Sequence, residues 1–318
     1  MIGSAYLFEA SSSEWGPSHL ARLLAVLRES RASCGEVARA IVDRFAAGTS
    51  PLRGSLLAIA DAADRSGTNN AFHNSGHSRD VGTIWFNLAL ANNRLAAANE
   101  APCGLTTSEL LLGACAAFGH DIGHDGTSNN VTTIGADGAE RTVRVPFRLE
   151  TMAAERVCEI LHFHGAGSAE LEAARAVILA TDIVDGHRAL EAALEMNVGA
   201  AREPPGSFEA FKIPAVRLIA AILRDADLMP SSGLTAREYD RYTALFEAEA
   251  GVPRHSLGPS DAEGFFDGVL CGRFLSPPGR LFQSRLDALR ALNRIRLSDK
   301  GLQGVGLESV GRDLTAAK

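Results

Sequence analysis

Apolar residues recur at helical spacing through most of the chain. One face of the first predicted helix carries four leucines at positions i, i+3, i+4 and i+7: Leu20, Leu23, Leu24 and Leu27. Ser50 followed by Pro51 is typical of an N-cap and a first-turn proline, so another helix is predicted to begin there. Further helices are predicted around residues 74–95, 107–122, 147–163, 168–181, 186–197, 214–228, 235–250, 260–271 and 278–296. The pattern therefore predicts an all-α fold.

One segment departs from the helical pattern. Between Asp125 and Pro146 no amphipathic helix is visible. Residues 131–134 and 142–145 are rich in β-branched residues, and the Ala-Asp-Gly between them is a turn signal, which predicts a short β-hairpin insertion near 131–145. A long non-helical connection within a compact domain is uncommon and often functional. A plain surface insertion is the alternative, and the sequence leaves both open.

Composition and charge narrow the class of protein. With 318 residues, 46% of them hydrophobic, the chain can bury a large core. No run approaches the roughly 18 apolar residues of a membrane span, so a soluble protein without membrane contact is predicted. The five cysteines lack metal-ribbon or disulfide-scaffold spacing, which favours the cytoplasm. A net charge of −7 without a long basic run argues against a nucleic acid polymer as partner. A phosphate substrate would therefore need local positive charge, which bound cations could supply.

Four of the nine histidines form two compact clusters. His73 and His77 are four residues apart, and so are His120 and His124, which places each pair on one face of a helix. Asp121 lies beside the first histidine of the second cluster. Neutral imidazole and carboxylate are ligands that zinc, manganese and iron accept, whereas magnesium prefers oxygen. Two such clusters in one chain predict a metal centre.

A metal cage built from these clusters needs one more ligand. Asp225 and Asp227 end an apolar helical run and have no evident structural task in the sequence. Either carboxylate could be the distant ligand, and spacing alone does not choose between them.

The order of these motifs resembles a known enzyme family. The segments that carry the resemblance are His73-Asn74-x-x-His77, His120-Asp121-Ile-Gly-His124-Asp-Gly126-Thr-Ser-Asn129, Phe147-Arg-Leu-Glu150, Ala180-Thr181-Asp182 and Ala226-Asp227-Leu228. The order and separation of these segments, from about residue 15 to 290, resemble those of the cyclic nucleotide phosphodiesterase catalytic domains. These domains are members of the HD-domain metal-dependent phosphohydrolases. The resemblance implies a multi-helix HD-type fold and a single catalytic domain over 1–318, with its core at about 15–296.

The resemblance also implies a role for each matching residue. The tighter cation, usually zinc, would be held by His77, His120, Asp121 and Asp227, which selects Asp227 over Asp225. Asp121 would bridge to a second cation, magnesium or manganese, whose waters would be oriented by His124, Glu150 and Thr181, with Asp182 supporting them. A hydroxide bridging the two cations would attack the phosphorus. His73 would be the general acid that protonates the leaving oxygen.

The substrate side departs from the family pattern. Phe265 matches the aromatic residue that stacks on the base, but Ala262 stands where the family has a glutamine, and Pro230 where it often has an asparagine. Two alternatives are open: Gln283 or Glu263 supplies the missing contact, or the base is recognised differently and with low selectivity.

Three functions are therefore considered. The leading hypothesis is hydrolysis of a 3′,5′-cyclic nucleotide to the 5′-monophosphate. The second is HD-type hydrolysis of another phosphate ester or nucleotide, and the third is a non-catalytic nucleotide-binding module. Each takes a small-molecule phosphodiester or nucleotide as partner. The oligomeric state is left open, a homodimer included.

Overall fold

Helices dominate the computed structural model, which describes residue 7 and residues 15–45, 50–134, 137–195 and 206–298. The α-helices of this part of the chain are α1 (Pro17–Glu29), α2 (Cys34–Phe45), α3 (Pro51–Asp64), α4 (Ser75–Ala97), α5 (Thr107–Gly119), α6 (Arg148–Phe163), α7 (Ser168–Leu179), α8 (Asp185–Glu195), α9 (Pro214–Leu228), α10 (Ala236–Glu249), α11 (Pro259–Gly264), α12 (Pro277–Arg280) and α13 (Gln283–Ser298). Two strands, β1 (Asn130–Ile134) and β2 (Glu140–Arg144), form a small sheet. The all-α prediction is confirmed.

The periodicity of the sequence corresponds to real buried faces. All four leucines of the first predicted face are buried in α1. Pro51 is the first residue of α3, and Ser50 before it has the extended backbone of an N-cap residue, although its side chain makes no capping hydrogen bond. Within the described residues, no helix is both long and apolar enough to cross a membrane.

Three helices form the centre of the core and lead to the polar residues of interest. In α5 every residue from Leu110 to Gly119 is buried, so this helix has no solvent-facing side after its first turn. Gly113 allows α4 to approach closely, because a Cβ there would lie 2.0 Å from the Trp85 ring. The Trp85 indole N–H donates to the Ile219 carbonyl of α9 at 3.3 Å. The start of α4 and the ends of α5 and α9 therefore belong to one tightly packed unit.

The predicted hairpin is present and stands out from the helices. β1 and β2 are antiparallel, with Val131 opposite Val143, and the strands begin one or two residues earlier than the sequence suggested. Most of its side chains are exposed, including Ile134 at 74%. The hairpin leaves and rejoins the helical body between Asn129 and Val145, where the Val145 N–H donates to the Asn129 carbonyl at 2.7 Å.

The segment predicted as one helix over 260–271 is divided. α11 ends at Gly264, and residues Phe265–Val269 form a single π-helical turn. The Leu270 N–H donates to the Phe265 carbonyl, five residues back, at 3.1 Å. Apolar spacing does not distinguish α from π geometry, since both bury one face of the chain.

Candidate metal centre

His77 is placed by the first turn of α4. Asn74 caps this helix, and its side-chain oxygen accepts from the backbone N–H groups of Gly76 at 2.8 Å and His77 at 3.3 Å. The imidazole is buried, and its Nε2 lies 3.0 Å from Oδ1 of Asp227 and 3.4 Å from Oδ2 of Asp121. The cap thus aims a buried imidazole at two carboxylates.

His120 reaches the same point from the end of α5. Its Nδ1 lies 2.9 Å from the Ala117 carbonyl, an acceptor, so Nδ1 must carry a proton. In the neutral imidazole Nε2 is then the lone-pair nitrogen. This Nε2 lies 3.2 Å from Oδ2 of Asp121 and 3.5 Å from Oδ1 of Asp227. The side chains of His77, His120, Asp121 and Asp227 are called the metal centre below.

The two candidate aspartates of α9 have different surroundings. Asp227 faces both histidines of the metal centre. Asp225 is fully buried on another side of the helix, where it accepts from the Leu275 N–H at 2.9 Å and from the N–H and hydroxyl of Ser276, each at 2.7 Å. It also lies 3.3 Å from the buried guanidinium of Arg224. Asp227 therefore lies next to the histidines, whereas the carboxylate of Asp225 is used in hydrogen bonds to Leu275 and Ser276.

Electrostatics indicate that the metal centre needs a positive charge. Burial alone would raise the pKa of Asp227, but the adjacent imidazoles of His120 and His77 lower it below the usual range. Burial would likewise lower the pKa of His120, yet the charge of Asp121 raises it well above its usual value. The raised pKa favours a proton on His120 beside these carboxylates. A divalent cation can replace that proton, because metal binding requires a neutral imidazole and releases the proton.

Unpartnered atoms support the same conclusion. Four buried side-chain atoms of the metal centre make no hydrogen bond: Nδ1 and Nε2 of His77, Nε2 of His120 and Oδ2 of Asp121. Burying polar atoms without a partner costs about 1–3 kcal/mol each. Donor atoms of His77, His120 and Asp227 lie within 4.8 Å of one another. Imidazole nitrogen and carboxylate oxygen are the donor types of zinc and manganese sites, so these residues fit a divalent cation.

His73 lies beside the metal centre and is oriented by a residue that the sequence did not reveal. Its Nδ1 is hydrogen-bonded to Oε1 of Glu249, at the end of α10. The other oxygen of Glu249 accepts from the backbone N–H groups of Phe72 at 2.7 Å and His73 at 2.9 Å. Burial lowers the pKa of His73, but the charge of Asp121 and the hydrogen bond to Glu249 raise it by more than that, so the net shift is upward. No motif marks Glu249, which is 176 residues away from His73 in the chain.

His73, His124 and Glu249 form a second group of closely spaced donors. The His73 and His124 rings are stacked, with centroids 3.8 Å apart and planes inclined by 15°. An imidazole lone pair lies in the plane of its ring, so two stacked rings do not point at one common ion. Glu249 is already occupied by His73 and two backbone N–H groups. This group is therefore better suited to orienting His73 than to holding a metal.

The remaining polar residues of the motifs include a hydrogen-bonded network of Asn129, Glu150 and Asp182. The Asn129 amide nitrogen donates to Oε2 of Glu150 and to Oδ2 of Asp182, each at 2.9 Å. Burial raises the pKa of Glu150, and the charges of Asp182 and Asp121 add to that rise, which places Glu150 within electrostatic reach of the metal centre. Thr181 is buried, and its hydroxyl donates to the Ile178 carbonyl at 2.7 Å.

The aromatic segment, residues 259–283, contains Phe265 and the two alternative base contacts. Phe265 is half-buried in the π-helical turn and packs against the Phe266 ring at 5.7 Å. Gln283 accepts from the Phe274 N–H at 3.1 Å and donates to the Gly272 carbonyl at 2.9 Å, so both ends of its amide are used within the segment. Glu263 is paired with Arg294 at 3.1 Å. The Gln283 amide is therefore held within the segment, and one oxygen of Glu263 is held by Arg294.

Comparisons with known proteins identify the fold. No protein-family model and no curated protein matches the chain. Among solved structures, it is similar to Leishmania LmjPDEB1 in complex with IBMX, with a TM-score of 0.59 and 15% identity over 93% of this chain and 98% of that chain. It also matches the phosphodiesterase domain of the RhoPDE fusion protein from the choanoflagellate Salpingoeca rosetta, with a TM-score of 0.49 and 20% identity over 96% of this chain and 94% of that chain. On the first of these likenesses, the chain has the fold of phosphodiesterase catalytic domains.

Proposed function

We propose that the chain is a metal-dependent phosphodiesterase that hydrolyses a 3′,5′-cyclic nucleotide to the 5′-monophosphate, within one catalytic domain whose core spans about residues 15–296. The observation that carries this proposal is the convergence of His77, His120, Asp121 and Asp227, whose buried donor atoms include several without a partner. The likeness to LmjPDEB1, which was solved with the small molecule IBMX, supports a small-molecule substrate.

Each residue of the metal centre has a task in this proposal. His77, His120, Asp121 and Asp227 hold the tighter cation, zinc, and Asp121 also faces a second cation, magnesium or manganese. When bound, the two cations supply Lewis acidity toward the phosphate and activate a water for attack. The same charges neutralise the substrate phosphate, which the net charge of −7 of the chain would otherwise repel.

Three further residues order the surroundings of the second cation. Glu150 has lone pairs beyond its two contacts with the Asn129 amide. The Nδ1 of His124 accepts from the Gly126 N–H at 3.1 Å, so the neutral ring carries its proton on Nε2. The Thr181 hydroxyl oxygen can still accept. Glu150 and Thr181 can accept hydrogen bonds from waters on the second cation, and the Nε2–H of His124 can donate to one, while Asp182 supports Glu150 through Asn129.

His73 donates the proton to the leaving oxygen. Its Nδ1 is held by Glu249, so in the imidazolium form the Nε2 proton is the one available to the substrate. The raised pKa keeps this proton in place near neutral pH, and the second ring nitrogen stays anchored while the first one reacts.

Recognition of the base is weakly selective in this proposal. Ala262 offers no hydrogen bond from its side chain, and the amide of Gln283 is used inside the aromatic segment. The base is then bound mainly by stacking on the Phe265 ring, without a side-chain hydrogen bond from Ala262 or Gln283 to its polar edge. The same observation favours a second candidate function, HD-type hydrolysis of another phosphate ester, since the metal centre would serve both.

A substrate panel separates the two candidates. Purified protein is assayed with Mn²⁺ against cyclic AMP, cyclic GMP and bis(p-nitrophenyl) phosphate, and the products are identified by chromatography. We expect both cyclic nucleotides to give 5′-monophosphates, with kcat/KM values within about 10-fold of each other. Turnover of the aryl ester alone would replace the cyclic nucleotide by the second candidate. If no substrate turns over and the protein retains no metal, both fail.

A further inference from the structure

We propose that Arg144, on strand β2 of the hairpin, is a positioning residue for the second cation. It does so by neutralising Asp182, so that the Asn129 amide can donate to Asp182 and to Glu150 at the same time and hold the Glu150 carboxyl in place. Because this role concerns a cation of the metal centre, it rests on the function proposed above.

Arg144 joins the exposed hairpin to a buried carboxylate. Its Nη2 donates to Oδ1 of Asp182 at 2.5 Å and to Oδ2 at 2.6 Å, and its Nε lies 3.3 Å from Asp185. The Asp182 side chain is fully buried, whereas that of Arg144 is 29% exposed. Charge-assisted hydrogen bonds of this kind are among the stronger polar contacts in proteins.

The other partners of Asp182 are uncharged. It accepts from the backbone N–H groups of Val184 at 2.9 Å, Asp185 at 2.8 Å and Phe147 at 3.1 Å, and from the Asn129 amide. Among the described contacts, Arg144 is the one positive group in hydrogen-bond reach of this carboxylate. Without it, a fully buried negative charge would be compensated by dipoles alone, which is costly in a low-dielectric interior.

Asn129 transmits this balance to Glu150. Its amide oxygen accepts from the Leu149 N–H at 3.0 Å, which fixes the amide plane and turns its nitrogen toward the carboxylates. The nitrogen then gives one proton to Asp182 and the other to Glu150, each at 2.9 Å. Two buried carboxylates thus share one amide. Because the charge of Arg144 neutralises Asp182, the repulsion between the carboxylates of Asp182 and Glu150 falls, and Glu150 can stay hydrogen-bonded to Asn129.

The hairpin provides a matched comparison for this role. Arg141 is on the same strand, but it pairs with Asp137 at 2.6 Å on the surface, where its side chain is 61% exposed. Both arginines carry one charge on the hairpin, and only Arg144 reaches the network of Asn129, Glu150 and Asp182. A role in general hairpin stability would be common to both residues, whereas the positioning role belongs to Arg144.

The test measures metal binding directly. Metal-stripped full-length wild type, Arg144→Ala, Arg144→Lys and Arg141→Ala are titrated with MnCl₂ in a calorimeter, and thermal unfolding confirms that each is folded. We expect two classes of Mn²⁺ site in the wild type. Arg144→Ala should leave the tighter class unchanged and weaken the second by about 10-fold or more, as is common when an outer partner of a metal site is lost. Arg141→Ala should match the wild type, and Arg144→Lys should recover part of the loss because it restores the charge.

Four outcomes would overturn the inference. Unchanged binding of both Mn²⁺ ions by a folded Arg144→Ala would contradict it while leaving the proposed function intact. Equal weakening by Arg141→Ala would reduce Arg144 to a structural role in the hairpin. A change in KM for the cyclic nucleotide without any change in Mn²⁺ binding would make Arg144 a direct substrate contact instead. A wild type that binds no second Mn²⁺ would remove the two-cation function and this inference with it.

Discussion

The metal centre and the aromatic segment differ in whether their polar side chains have hydrogen-bond partners. In the metal centre, buried atoms of His77, His120 and Asp121 have no hydrogen-bond partner. In the aromatic segment, Gln283 uses both ends of its amide within the segment, and Glu263 is paired with Arg294. Buried polar groups are normally satisfied, so several unsatisfied donor atoms that face one another fit a shared ligand. The metal centre is therefore suited to bind a cation, whereas the aromatic segment gives no indication of a specific polar ligand.

The same difference is found within α9. Asp225 is enclosed by donors from the chain around residue 275, and Asp227, two residues later, faces two imidazoles. Residues two apart on a helix are separated by about 200° around its axis, so they cannot share a neighbourhood. The first aspartate stabilises the fold, and the second is available for chemistry.

The largest expected effect comes from Asp227→Ala. This variant removes one of the two carboxylates that face both imidazoles, so it should lose the tighter cation. Turnover should drop by at least about 100-fold, since even partners outside the ligand set cost 10–100-fold. Metal content after dialysis and the initial rate measure the two effects, and the unfolding midpoint of the metal-free protein should change little.

Asp225→Ala is the matched comparison for that variant. It should leave Arg224 buried without its carboxylate and lower the free energy of unfolding by about 3–5 kcal/mol, as measured by urea denaturation. Folded Asp225→Ala protein should still bind the cation. If Asp225→Ala strips the metal and Asp227→Ala does not, the assignment of the two residues is reversed.

His73→Gln should lower kcat by about 10²- to 10⁴-fold without changing the bound metal, because it removes the proton donor and no ligand. Glu249→Gln should have a smaller effect and should also move the pH profile. The rate requires protonated His73, so it falls as pH rises through the pKa of that residue. Glu249 helps to raise this pKa, and its loss should move the falling limb of kcat to lower pH. Full turnover by the His73→Gln variant would exclude His73 as the general acid.

His187 gives a stability prediction for the region between α8 and the aromatic segment. Burial and the nearby charge of Arg224 lower the pKa of His187 to about 4, against about 6.5 in the unfolded chain. The unfolded state then binds more protons between these values. Stability that is present above about pH 6.5 should therefore be lost as pH falls toward 4, by up to about 3 kcal/mol.

His187→Asn should flatten this dependence, because it keeps a donor toward the Val269 carbonyl, 3.3 Å from Nδ1, but cannot be protonated. Urea denaturation of both proteins at about pH 7 and about pH 4.5 isolates the contribution of this residue as the difference between them. Equal losses in the two proteins would show that His187 does not titrate in this window.

The smallest effect is expected for Gln283→Ala. The side chain connects residues 272 and 274, so its loss should lower the free energy of unfolding by about 1 kcal/mol. The ratio of kcat/KM for cyclic AMP and cyclic GMP should stay unchanged, because the amide is hydrogen-bonded to the backbone of residues 272 and 274. A change in this ratio of about 10-fold or more would make Gln283 a base contact and would erase the contrast between the two regions.

The sequence predicted those features that depend on local spacing. The leucines of α1, the proline that opens α3 and the β-branched residues of the hairpin specify their elements through nearest neighbours in the chain. Such features need no knowledge of distant contacts. The paired histidines were predicted to share one helix face, and this was wrong, because His73 precedes α4 and both His120 and His124 follow the last residue of α5.

Other features depend on packing between distant parts of the chain and were not predictable. Glu249 reaches His73 from the end of α10, and Arg144 reaches Asp182 from a strand whose other charges remain at the surface. Periodicity shows that Asp225 and Asp227 occupy different faces of α9, but not which face meets the histidines. The π-helical turn at 265–269 is likewise invisible to apolar spacing, so residues 260–271 were predicted as one α-helix.

Anomalous diffraction from crystals grown with zinc and manganese tests the metal centre most directly. We expect a zinc peak roughly 2.0–2.2 Å from Nε2 of His77 and of His120 and from carboxylate oxygens of Asp121 and Asp227. A manganese peak about 3.5–4 Å from it, on the side of Asp121, is expected as well. Absence of a peak among these four residues, or a peak between His73, His124 and Glu249 instead, would show that His77, His120, Asp121 and Asp227 are not the metal ligands.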